Sequence, residues 1–252
     1  MRLLSKAVPK ELFPVGSKPM IQHAVEEAMA SGIENICIVI HKEKEIIRHY
    51  LEEEFIRGTT ACALTFTYQE ERLGLGDALA RADDFVGKDP FIMIIPDQLL
   101  LSRTPATLQL VRCCKDVDGI WSSLVRIPQR DSRYFIGSRG YEFEGIGRNR
   151  YAIKAIYSAR EAADRYKEQA FQIRGFGRTV FPAAILEYFG KEFINPETGE
   201  IDLLKSVEEF TKSNPHYGTF LKGRALDLGT LPGYYYFLRK MLGRKVPYEE
   251  VI

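Results

Sequence analysis

The 252-residue sequence predicts an α/β protein with a mixed, mainly parallel, Rossmann-like central sheet flanked by helices. Three observations carry that expectation. Met20, Ile21, Ala24, Val25, Ala28 and Met29 recur at helical spacing, and Gly32 stops the pattern. The run that follows, 36–40, is apolar at every position, as a strand covered on both faces would be. Helical and strand patterns then alternate as far as residue 97, which implies right-handed crossovers and parallel pairing.

Each later element has its own signal. A charged helix is expected over 43–55 and a β-rich strand over 63–69. A glycine loop at 72–77 opens a short helix running through Phe85, and the strand "FIMIIPD" fills 91–97. Beyond it the chain is less regular: a helix near 104–115, a strand at 119–127, and strand-like pieces as far as Tyr157. The polar stretch 161–169 reads as either a helix or a mobile loop. A strand at 171–181, helices at 182–190 and 200–213, a strand near 217–222 and a helix over 231–242 complete the chain. It contains no repeat, low-complexity tract or linker, so a single domain over 1–252 is expected, with halves 1–97 and 98–252.

Composition narrows the function classes. At 45% hydrophobic and 27% charged, the chain can bury a full core. Its formal charge of +1 gives no global field toward nucleic acid or an anionic membrane. The apolar runs at 36–40 and 91–95 are strand-sized, far short of the ~20 residues of a membrane helix. Cys37, Cys62, Cys113 and Cys114 show no C-x-x-C spacing and read as reduced thiols of a cytoplasmic protein.

Three places look chemical. In the loop from Gln69 to Ala78, the glycines at 74 and 76 let backbone amides approach a flat or anionic ligand at a helix N-terminus, and Gln69 offers a base-reading amide. The same loop also reads as an ordinary tight turn with Asp77 as N-cap. Asp97 directly follows an apolar strand, where a carboxylate can hold Mg²⁺ against phosphates or simply cap the next turn. Asp227, followed by Gly229 and an aromatic helix, is either a second carboxylate for that metal or a helix-entry residue. His23, His41, His49 and His216 lack the spacing of a zinc helix.

Taken in order, these pieces resemble the bacterial-type UDP-glucose pyrophosphorylases, a branch of the sugar-phosphate nucleotidyltransferases. The blocks are "SKAVPKELFPVGSKPMIQHAVEEA" at 5–28, "QEERLGLGDALARADDFVGKDPF" at 69–91, "IIPD" at 94–97, "GR" at 177–178, "GEIDL" at 199–203 and the Asp227, Gly229, Gly233, Tyr234 segment. The resemblance implies a nucleotidyltransferase fold, with 1–97 the nucleotide-binding half and 98–252 the sugar-binding and C-terminal half. It implies that UTP and a sugar 1-phosphate, glucose 1-phosphate first, give a UDP-sugar and pyrophosphate. By position, Lys10 contacts phosphates, Gln69 and the Gly74 loop hold uracil, and Asp97 binds Mg²⁺ with Asp227 as second ligand. A homo-oligomer is compatible with this reading.

Departures from the family pattern are also expected to matter. The family's first strand and its G-x-G-T-R loop precede a segment on which Met1 to Lys6 falls here, so that strand and triphosphate loop are expected to be missing. Either the start lies upstream or something else fills the gap. On the sugar side, Phe135 stands where a glycine is usual, Ser158 and Ala159 replace a glutamate and a lysine, and Gln172 replaces an asparagine. The alternative to a working uridylyltransferase is therefore a non-catalytic paralogue serving as a regulatory or interaction subunit.

Overall fold

The computed structural model describes residues 8–55, 62–114, 118–135, 137–189, 194 and 199–242. The expected start segment, Met1 to Lys6, lies outside the described residues.

Pro9 opens a single 3₁₀ turn, Lys10–Leu12, and the two-residue strands β1 (Pro14–Val15) and β2 (Lys18–Pro19) pair around Gly16, whose φ of 68° suits glycine. Helix α1 (Met20–Ala30) starts at once, burying Met20, Ile21, Ala24, Val25 and Ala28 along the stripe its sequence predicts. Strand β3 (Asn35–His41) follows. The helical stretch expected over 43–55 is present as a 3₁₀ turn, α2 (Glu45–His49) and a wider π-type end at Tyr50–Phe55. Strand β4 (Ala63–Gln69) lies parallel to β3 in full register, from Asn35 opposite Ala63 to His41 opposite Gln69.

The glycine loop leads into α3 (Gly74–Ala80) and α4 (Asp83–Val86), then β5 (Phe91–Ile94) and β6 (Gln98–Leu101). Helix α5 (Ala106–Val111) precedes β7 (Ile120–Pro128), a 3₁₀ segment at Gln129–Tyr134, and the hairpin β8 (Gly140–Gly147) and β9 (Arg150–Tyr157). Residues 159–165 form helix α6 (Ala159–Arg165), which decides between the two readings of that stretch. Strand β10 (Phe171–Phe181), a 3₁₀ segment at Ala183–Tyr188, α7 (Leu203–Thr211), β11 (His216–Phe220), β12 (Arg224–Asp227) and α8 (Leu231–Leu242) complete the order.

The class is α/β with a mixed sheet. Six strands run in the order β5-β10-β7-β11-β9-β8, with β3–β4 and β6–β12 as separate pairs. Parallel pairing is narrower than the sequence suggested, holding for β3–β4 and β7–β11, while β5–β10, β7–β10, β9–β11 and β8–β9 are antiparallel. For the β8–β9 hairpin the cause is connection length: a two-residue link at 148–149, with Asn149 at φ 55°, can join only antiparallel neighbours. Among the described residues, β3 is paired with β4 alone and β5 with β10 alone, so no strand bridges the two sheets.

Apolar clusters fix the helices to this frame. Ile21 and Val25 of α1 meet Ile40 of β3 with Ile47 and Leu51. Met93, Ile120 and Phe181 from the sheet pack against Leu79 of α3 and Val207 and Phe210 of α7. A third cluster, Val15, Met20, Leu99, Leu226, Leu228, Tyr234 and Phe237, joins the N-terminal ribbon to β6, β12 and α8. That cluster is what carries the 3₁₀ turn of Lys10 to the strand ends at residues 97 and 227. No helix among the described residues is long and apolar enough to cross a membrane.

Candidate active site

Asp97 ends the turn between β5 and β6, and Asp227 is the last residue of β12, paired across the ribbon with Gln98. The backbone locks the two together, since Leu228 N–H donates to the Asp97 carbonyl at 2.8 Å. Both carboxylates converge beside Gly229, where a Cβ would lie 2.5 Å from Asp97 Oδ2 and 3.3 Å from Asp227 Oδ1. Only a glycine leaves that space open. Lys10 enters from the other end of the chain and donates from Nζ to Asp97 Oδ2 at 2.5 Å. Three residues expected at the phosphates, Lys10, Asp97 and Asp227, are thus brought together.

Electrostatics marks the same place. Burial, and then the Asp97 charge, push the Asp227 carboxyl up to about 6, against the Gly229 amide, Lys10 and Ser138, which act to lower it. Burial alone would lower the Lys10 ammonium, but the Asp97 ion pair outweighs it and the net shift is upward. Two acidic oxygen donors against one lysine leave negative charge in a buried setting. Such a donor set fits a Mg²⁺ ion, which binds through one or two carboxylates and takes its other ligands from water and phosphate. Among the described residues no third acidic, His or Cys group joins them, so substrate oxygens would complete the shell.

The turn that presents Asp97 is held from behind. Arg178, fully buried on β10, donates from Nη1 to the Ile95 carbonyl (3.0 Å) and from Nη2 to the Gln98 carbonyl (3.1 Å), and meets Glu27 of α1 through two bonds of 2.8 Å. Glu27 also accepts from the Thr107 backbone and hydroxyl. Gln98 in turn accepts from the Gly177 amide at 2.7 Å and donates to Ser138. Sequence reading gave no role to Glu27 or Ser138, and named Arg178 and Gly229 only within the segments that carry the resemblance. The available signal was Arg178, an arginine well inside a strand-like stretch, though Arg174 of the same stretch gives the same signal.

The remaining expected residues lie apart. Gln69 ends β4 and donates to the Gly74 carbonyl and to Asp77 Oδ2, both at 2.9 Å. Asp77 is therefore a buried residue within α3 and not its N-cap; Leu73 occupies the cap position. Gly74 has φ 86° and lies against Glu200, and the Ile201 amide donates to the Leu73 carbonyl at 2.7 Å. No hydrogen bond among the described residues links Gln69 or Gly74 to the Lys10 cluster.

Gln172 is tied through Arg174 to the Ala159 carbonyl, one residue past Ser158. Gln172 is buried, donates to Gln129, and accepts from Arg174 Nε and Nη2; Arg174 Nη1 donates to the Ser138 and Ala159 carbonyls. Ser158 is the N-cap of α6, in a reciprocal capping box with Glu161. Phe135 turns into the core with Val125, Ile127 and Phe176. His216 is buried against Ser122, and burial pushes its ring down to about 3, so it stays neutral.

The site is thus a carboxylate pair, one member in the turn after β5 and the other at the end of β12, met by a lysine from the N-terminal 3₁₀ turn of an α/β protein. The chain belongs to the nucleotidyl transferase family, whose model matches residues 1–135. It is 28% identical over 255 residues to UTP–glucose-1-phosphate uridylyltransferase 2 of Streptococcus pyogenes serotype M1, covering 91% of this chain and 82% of that protein. Among solved structures, it is similar to a UDP-glucose pyrophosphorylase complexed with UDP-glucose (TM-score 0.79, 22% identity, 96% of this chain and 93% of the other). It is also similar to the UTP-bound enzyme of Acinetobacter baumannii (TM-score 0.76, 22% identity, 97% and 89%).

Proposed function

We propose that this chain is a UTP–sugar-1-phosphate uridylyltransferase, with glucose 1-phosphate as the first sugar to test. The observation that carries the reading is the convergence of Lys10, Asp97 and Asp227 on one point beside Gly229. The uridylyltransferase name of its relatives supports it. In the proposed reaction a phosphate oxygen of the sugar 1-phosphate attacks the α-phosphorus of UTP in line, and pyrophosphate leaves.

Asp97 and Asp227 would hold Mg²⁺, which when bound would supply positive charge to offset that of the phosphates. Lys10 supplies a fixed positive charge for the phosphates, exchanging its contact with Asp97 for one with substrate. Placed donors of this kind act mainly by positioning and by stabilising charge. Gln69 and the Gly74 loop are proposed to face uracil. We place the protein in the cytoplasm, which the four free cysteines support.

A second reading, a nucleotide-binding paralogue without turnover, is favoured by the sugar side. Gln172 is committed to Arg174 and Gln129, and Ser158 to its capping box. Incubation with UTP, Mg²⁺ and a panel of hexose 1-phosphates, with products separated by ion exchange, decides between them. A UDP-sugar that disappears with EDTA supports transfer; UTP binding with no product from any sugar supports the paralogue.

A further inference from the structure

A cavity of about 650 Å³ lies between the 3₁₀ segment after β7 and the β12–α8 corner. Its size is that of a small-molecule site. Its charge is one-sided. Arg126, Arg130 and Arg133 stand on one wall and Arg224 and Lys240 on the other, against two carboxylates, Asp131 and Asp227. None of the five cations forms an ion pair among the described residues. Asp131 is turned to Tyr236, accepting from its hydroxyl at 3.1 Å.

Instead of acids, four of these five cations rest on aromatic rings, and Arg224 also donates from Nη2 to the Tyr236 hydroxyl at 2.6 Å. Arg133 lies over Tyr134 at 5.0 Å, Arg224 and Lys240 over Tyr236 at 5.8 and 5.7 Å, and Arg126 over Phe220 at 4.4 Å. Tyr134 and Tyr236 stack on each other at 4.2 Å, joining the two cationic walls. Guanidinium groups without an acidic partner in a concave site recognise phosphate through paired N–H donors, and aromatic faces accept the C–H surface of a ring. Arginines already ordered on tyrosines lose less freedom on binding than arginines in open solvent.

We propose that this cavity binds a small molecule with a phosphate at each end of a sugar ring, one phosphate on the Arg130 and Arg133 wall and the other on the Arg224 and Lys240 wall. The cavity shares Asp227 with the Lys10 cluster, so its occupant sits next to the reacting groups without using Lys10. The inference stands on binding alone and does not depend on uridylyl transfer.

The test is calorimetric titration of the 252-residue chain with fructose 1,6-bisphosphate in EDTA, so that no metal-dependent binding contributes. Saturable binding is expected, weakened at least about tenfold by Arg130→Glu with Arg133→Glu, by raised salt, and by replacing the probe with glucose 6-phosphate. Lys10→Met is expected to leave it unchanged. Thermal melting checks the charge-reversed protein, and if that protein is unfolded Lys240→Glu takes its place. Absence of saturable binding, equal affinity in the charge-reversed protein, or loss of binding in Lys10→Met overturns the proposal.

Discussion

Glu27 and Arg178, 151 residues apart, form a buried two-bond ion pair at 2.8 Å that anchors the turn carrying Asp97. Arg178 has no exposed surface, so its charge is compensated by Glu27 and by the Ile95, Gly177 and Gln98 carbonyls. Truncating one member of such a pair strands the other charge.

Arg178→Met is therefore expected to destabilise the protein by about 3–5 kcal/mol, read as a lower urea midpoint. The pH dependence follows from Glu27: burial raises its pKa, but Arg178 and Thr107 outweigh this and the net shift is downward. A lowered carboxylate contributes stability above its unfolded value near 4.5, and that stability is lost as pH falls through the lower folded value. The gap between wild type and Arg178→Met should narrow in that acid window. A gap that is constant from neutral to acid pH would contradict the assignment.

Asp227 has the opposite sign. Its folded pKa, about 6, lies above the ordinary 3.8, so folding favours the protonated form, and that contribution fades as pH rises from 3.8 through 6. Asp227→Asn removes the ionised group, and is expected to be more stable than wild type at pH 7.5 by up to about 3 kcal/mol, the gain vanishing below pH ~4. Thermal melts at the two pH values check it. Mg²⁺ affinity should rise with pH through about 6 in the wild type and be flat in the variant.

Gly76 lies inside α3, where alanine normally gains about 1 kcal/mol. Here a Cβ would come within 2.6 Å of Ile201 Cγ2 and 3.1 Å of the Ile201 carbonyl. Backbone cannot swing aside as a flexible side chain does, so the clash wins, and Gly76→Ala should cost about 1–3 kcal/mol by chemical denaturation.

Ser158 separates capping from sugar recognition. Ser158→Ala should cost about 0.5–2 kcal/mol through the lost cap of α6, measured by denaturation, with no change in KM for the sugar phosphate. A raised KM at unchanged stability would return Ser158 to the sugar site.

The legible parts of the fold were those with local periodicity. The stripe of α1, the apolar run of β3 and the β-rich run of β4 sit where their patterns place them because each pattern is complete within about a dozen residues. The β6–β12 ribbon was not legible: its strands are four residues each, and Leu99 meets Leu226 only through tertiary packing. Asp97 and Asp227 were readable because each carboxylate closes a segment with a glycine or proline beside it. The pairing of Glu27 with Arg178 was not, since an ion pair across 151 residues leaves no trace in spacing. Asp77 was misread because a short polar residue after glycine suits an N-cap, whereas its carboxylate is held by Gln69 and Arg81.

The central claim is that Lys10, Asp97 and Asp227 act together on phosphates, and the most direct measurement is the rate of UDP-sugar formation by wild type and Lys10→Met under identical Mg²⁺ and UTP. The account predicts a wild-type rate that falls about 10²–10³-fold in kcat in the variant, with the fold intact. Equal rates in the two proteins would contradict it.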